Sequence, residues 1–150
     1  MSNFKYEIAH GEVTITGYTG AGGAVTVPGT LGGFSVTAIG KYAFSGKTSL
    51  TSITLPDSII TIGQESFRGC HGLTSITLPD GLTTIGSWAF ESCTSLRSIT
   101  LPNSLTTIRF GAFESCTGLR SISLGSSVFS IRDYVFEGCP ATVIREEVSR

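Results

Sequence analysis

At 150 residues, 40% of them hydrophobic and only 14% charged, the chain fits a single domain with a continuous core. Its net charge of −1 gives no electrostatic basis for nucleic acid or an anionic membrane surface as partner. No apolar run approaches the roughly 20 residues that span a bilayer, so membrane insertion is not expected.

The amino terminus, Met1-Ser2-Asn3-Phe4-Lys5, carries no charged-then-apolar signal, which fits a cytoplasmic chain or a piece of a longer one. Residues 1–24 read as a cap and its connector. Tyr6 and Ile8, then Val13 and Ile15, alternate with polar residues around a His10-Gly11 turn, which predicts a β-hairpin from Phe4 to Ile15. The Gly-rich stretch from Gly17 to Gly23 has neither the strand before it nor the helix after it that a phosphate-binding loop needs, so it reads as a connecting turn.

From Val25 onward one line is rewritten every twenty-three residues. Ile53, Ile76, Ile99 and Ile122 form one column, and Leu55, Leu78, Leu101 and Leu124 the next. Phe44, Phe67, Phe90, Phe113 and Phe136 form a third, with Cys70, Cys93, Cys116 and Cys139 a fourth. A fixed period in the twenties with apolar residues in phase marks stacked coils, each unable to bury its apolar face without a neighbour. The first coil takes twelve residues from Val27 to Ile39 where a later coil takes seven from Leu78 to Ile85, so it carries a five-residue insert. Phe34 and Val36 predict that the insert packs back, and Lys47 stands where later coils have Cys. The fifth coil drifts, with Gly125 for Pro and Phe129 in the spacer. In the remainder, 141–150, Thr142-Val143-Ile144 reads as a last strand and Arg145-Glu146-Glu147 as a charged end, with Val148 to Arg150 unstructured.

Within a coil, Leu73-x-x-Ile76-x-Leu78 has the spacing of a leucine-rich-repeat strand. Ile76 and Leu78 point to one side, Ser75 and Thr77 to the other, and Pro79 with Asp80-Gly81 ends the strand. Ala89, Phe90 and Cys93 then predict a short helix or 3₁₀ turn opposite. The fold class expected is a β-dominated α/β-type solenoid: five coils over 25–140, stacked parallel strands, helical turns opposite and a hairpin cap.

These residues resemble the leucine-rich repeats of BspA-like surface proteins. The likeness runs from Tyr6 to Pro140, through Leu-x-x-Ile-x-Leu-Pro, Ile-Gly, Ala-Phe and Cys, and through the entry Val25-Thr26-Val27-Pro28. It implies a non-enzymatic module at the cell surface or secreted, binding host proteins, extracellular matrix or other cells.

No catalytic, metal or cofactor site is expected from the sequence. The four Cys fall one per coil without the paired spacing of a zinc site, and read as buried reduced thiols, although neighbours in a column lie within disulfide reach. His10 and His71 have no nucleophile or carboxylate at a recognisable spacing. Asp57, Asp80 and Asn103 read as turn residues rather than calcium ligands. Two surfaces are left for binding. The first is a hydroxyl face of Ser52, Thr54, Ser75, Thr77, Ser98, Thr100, Ser121 and Ser123, read as a plain solvated strand face, as a docking surface for protein or glycan, or as an ice-binding lattice. The second is a set of aromatics, Tyr42, Trp88, Phe110 and Tyr134, read as interface anchors or as rings tucked into the core. The anchors also suit self-association, so a structural, self-assembling unit stands beside the adhesion module as the alternative function.

Overall fold

The computed structural model describes residues 3–124, 130–131, 134–140 and 142–145, with backbone alone for 130–131 and 142–145. The hairpin forms as expected, from β1 (Phe4–Ala9) and β2 (Glu12–Tyr18), which pair antiparallel. His10 and Gly11 take φ of 54° and 76°, the left-handed pair that a two-residue hairpin turn requires. β2 then pairs parallel with β5 (Phe34–Ile39), which seats the cap on the first coil. β3 (Gly23–Thr26) follows the connector, and the insert packs back as β4 (Thr30–Leu31) antiparallel to β5.

Each later coil contributes two strands. The Leu-x-x-Ile-x-Leu segments give β6 (Leu50–Thr54), β8 (Ser75–Thr77), β10 (Ser98–Thr100), β12 (Ser121–Leu124) and β14 (Thr142–Arg145). A second, two-residue strand was missed in the sequence: β7 (Thr61–Ile62), β9 (Thr84–Ile85), β11 (Thr107–Ile108) and β13 (Ser130–Ile131). Its signal is the β-branched pair Thr-Ile, or Ser-Ile, at the same period. These short strands continue from β5 in one eight-stranded sheet, ordered β1-β2-β5-β7-β9-β11-β13 with β4 on β5. The last strand expected, over Thr142-Val143-Ile144, is β14, parallel to β12. The drift at Gly125 and Phe129 and the tail from Glu146 lie outside the described residues.

The third side of the coil is not helical among the described residues, contrary to the expectation of a short helix or 3₁₀ turn. The amides of Trp88, Phe90 and Ser92 donate to Phe110, Ala112 and Glu114 of the next coil at 3.0, 2.7 and 2.9 Å. Those between them, on Ala89, Glu91 and Cys93, donate back to Gly86, Trp88 and Phe90. A helix sends every amide back along its own turn, whereas here every second one is committed to the neighbouring coil. The side is therefore a third ladder of turns.

The core runs down the middle. Phe44, Phe67, Phe90 and Phe113 are fully buried, and each stacks on the next with ring centroids 5.1 to 5.2 Å apart and planes within 4° of parallel. Tyr18 of the cap continues the stack, 5.6 Å from Phe44 and 5.3 Å from Phe4. Gly20 leaves room for that ring: a Cβ on it would fall 2.1 Å from the Tyr18 hydroxyl oxygen, so the tyrosine would have to shift.

One core position is imperfect. Ser66 occupies the column of Ala43, Ala89 and Ala112, fully buried, and its hydroxyl has no partner. A buried unsatisfied hydroxyl costs about 1–3 kcal/mol. Ser66→Ala is expected to stabilise the chain by about 1–2 kcal/mol, seen as a higher urea midpoint at unchanged slope. A lower midpoint would show that the hydroxyl has a partner after all.

Candidate functional site

The cysteine column is a hydrogen-bonded ladder of free thiols. The Sγ–H of Cys70, Cys93, Cys116 and Cys139 donates to the carbonyl of Phe44, Phe67, Phe90 and Phe113 in the preceding coil, at 3.1, 3.2, 3.0 and 2.9 Å. Burial pushes the Cys70 thiol up to about 11 and raises Cys93 further. The adjacent Cys139 thiol and burial raise Cys116, while the neighbouring Cys116 thiol lowers Cys139, half-buried at the end. Three of the four thiols are thus poor nucleophiles at neutral pH. No three His, Cys, Asp or Glu side chains converge as metal ligands among the described residues.

The hydroxyl face is present but divided. Ser52 and Thr54 stand in register with Ser75 and Thr77, and Ser98 and Thr100 with Ser121 and Ser123. Between β8 and β10 the ladder does not close, so the strands fall into two three-stranded sheets, β3-β6-β8 and β10-β12-β14. A groove of about 340 Å³ opens at that seam, lined by Ser75, Thr77, Asp80, Ser98, Thr100 and Pro102 among others. The same coil boundary carries Arg109 where earlier coils have Gly40, Gly63 and Gly86. Its amide reaches the preceding coil at 3.0 Å, against 2.7 to 2.8 Å for the three glycines.

The four aromatics divide as well. Trp88, Phe110 and Tyr134 form a stair on the turn side, edge to face, with centroids 5.1 and 5.3 Å apart. None of the three belongs to the core; Trp88 and Phe110 are half-buried and Tyr134 is 56% exposed. Gly111 makes room for the stair, since a Cβ on it would lie 2.5 Å from Trp88 Nε1. Tyr42 stands apart, because Glu65 occupies its column before Trp88. That carboxylate, 9% exposed, accepts from Gln64 Nε2 at 2.9 Å and from Arg68 at 2.7 Å, and Arg68 also bridges to Glu91 at 2.8 Å. The Gln64 and Arg68 bonds hold Glu65 below the usual carboxylate range, while burial raises Glu91. The sequence grouped Tyr42 with the others by their place around the Ile-Gly step; it could not show that Glu65, paired with the exposed Arg68, stands between Tyr42 and Trp88.

Two-thirds of the chain and more are matched by one family description, BspA type Leucine rich repeat region, in six copies over residues 35–146. No curated protein matches the chain. Among solved structures, the leucine-rich repeat protein of T. pallidum, TpLRR, is 37% identical, with a TM-score of 0.91 over 94% of this chain and 68% of that one. A leucine-rich cell surface protein from Faecalibacterium prausnitzii is 25% identical, with a TM-score of 0.66, over 95% of this chain and 49% of that one. A leucine-rich repeat protein from Bacteroides capillosus is 26% identical, with a TM-score of 0.64, over 98% and 96%. No helix among the described residues is long and apolar enough to cross a membrane. With parallel strands, a stacked phenylalanine core and a thiol ladder recurring every twenty-three residues, this chain belongs to the BspA-type leucine-rich repeat family, a repeat-module family whose members commonly bind proteins.

Proposed function

We propose that the chain is a non-enzymatic protein-binding and adhesion module whose working surface is the stair of Trp88, Phe110 and Tyr134. The observation that carries this reading is that three large rings stay at the surface beside a complete aromatic core that does not use them. Rigid aromatics presented this way are the usual anchors of protein interfaces.

The test is binding of the purified chain to a panel of immobilised extracellular-matrix proteins. Trp88→Ala is expected to weaken capture at least tenfold, with the circular dichroism and melting curve little changed. Binding unaffected by that change would remove the stair from the interface. The same rings fit self-assembly, which sedimentation over a hundredfold concentration range separates: concentration-dependent growth abolished by Trp88→Glu would place a second copy, not a matrix protein, on the stair.

A further inference from the structure

All three lysines of the chain, Lys5, Lys41 and Lys47, gather at its amino-terminal end around Tyr42. They arrive from separate elements. Lys5 lies on the edge strand β1, its stem laid across Gly17, while Lys41 and Lys47 flank the first turn of the ladder. Lys47 occupies the cysteine column, is half-buried and lines the surface pocket beside Tyr42. Lys41 holds its ammonium 5.8 Å from the centre of the Tyr42 ring. Among the described residues, the ion pairs are those of Arg68 with Glu65 and Glu91, and none involves a lysine.

Lys5 and Lys47, but not Lys41, line a shallow, open pocket together with Tyr42. About 270 Å³ is bounded by Lys5, Lys47 and Tyr42 with the hydroxyl-bearing Thr16, Thr19 and Ser45. Tyr42 is 52% exposed and is held by its backbone, whose amide donates to Gln64 at 3.1 Å while its φ is 62°. Two unpaired cations attract a carboxylate or sulfate, a half-exposed ring offers a flat wall, and hydroxyls suit a polyhydroxylated ligand. The volume suits one ring-sized group rather than a folded partner.

We propose that this pocket binds an acidic sugar unit, with its carboxylate or sulfate between Lys5 and Lys47 and its ring against Tyr42. The site is separate from the Trp88 stair and does not depend on it. The test is calorimetric titration of the full chain at low salt with a chondroitin sulfate tetrasaccharide, maltotetraose and inorganic phosphate. The tetrasaccharide is expected to bind, phosphate at least tenfold more weakly, and the neutral sugar not at all. Lys5→Gln with Lys47→Gln is expected to lower tetrasaccharide affinity at least tenfold. Lys5→Gln alone, on an exposed edge strand, keeps the test open if the double variant misfolds, with a loss of at least threefold expected. Tyr42→Ala should bring the tetrasaccharide toward the affinity of phosphate, and Arg97→Gln with Arg120→Gln should change nothing. Absence of tetrasaccharide binding, equal binding of maltotetraose, phosphate binding as tight as the tetrasaccharide, or a loss from the arginine pair rather than the lysines would each overturn the proposal.

Discussion

Phe90→Ala is expected to destabilise the chain by about 3–5 kcal/mol. Phe90 is fully buried, with rings parallel to it on both sides, 5.2 Å from Phe67 and 5.1 Å from Phe113. Coils about 4.8 Å apart set that spacing, and side chains locked to a repeating backbone relax poorly into a cavity. The two ring pairs add roughly 0.5–1.5 kcal/mol each to the area lost. Phe136, half-buried and stacked at 5.8 Å on Phe113 with no second ring beside it among the described residues, should lose clearly less on the same change. Urea unfolding of the two variants measures both. Equal losses, or a loss below about 1 kcal/mol at Phe90, would contradict a core built by stacking. Because repeat proteins are held by nearest-neighbour interfaces, the Phe90 variant should also broaden the transition as the coils on either side uncouple.

Much of this fold is legible in the sequence because the repeat prints the same physical constraint several times. Ile76 and Leu78 mark a strand by themselves, but it is their recurrence at Ile53, Ile99 and Ile122 that marks a stack. The short strand at Thr84-Ile85 went unread because two residues give no periodicity; its pairing comes from the neighbouring coils and not from its own pattern. The turn side went unread for a related reason. Apolar residues at offsets of one and three, as in Ala89, Phe90 and Cys93, suit a helix and a ladder turn alike. Only the destination of the amides, into the next coil, separates them. For the candidate surfaces, the columns were visible and their interruptions were not. The open seam between β8 and β10 depends on how two coils settle, and the isolation of Tyr42 depends on where Glu65 finds Arg68.

The turn ladder makes a prediction of opposite signs at one residue. Two positions in each coil, four residues apart, take a left-handed backbone: Glu65 and Gly69 at 53° and 73°, Trp88 and Ser92 at 53° and 60°. The second of them is Gly46, Gly69 and Gly138 in three coils but Ser92 and Ser115 in the others. A residue with a Cβ held left-handed is disfavoured by roughly 1–2 kcal/mol, and Gly is not. Part of that is offset because Gly loses more backbone freedom on folding, so Ser92→Gly is expected to stabilise by about 0.5–1 kcal/mol. Ser92→Pro should do the reverse and far more strongly. Proline fixes φ near −65°, the wrong side of the map, and removes the amide that donates to Glu114 at 2.9 Å. A loss of about 3 kcal/mol or more is expected, concentrated at the join between the third and fourth coils. Hydrogen exchange at Phe90 and Cys93 reads it locally, and urea unfolding reads it globally. Should Ser92→Gly destabilise, the left-handed turn would not be the rule that orders this side of the coil. Should Ser92→Pro be tolerated, the bonds carried by the turn ladder would not be needed to hold one coil on the next.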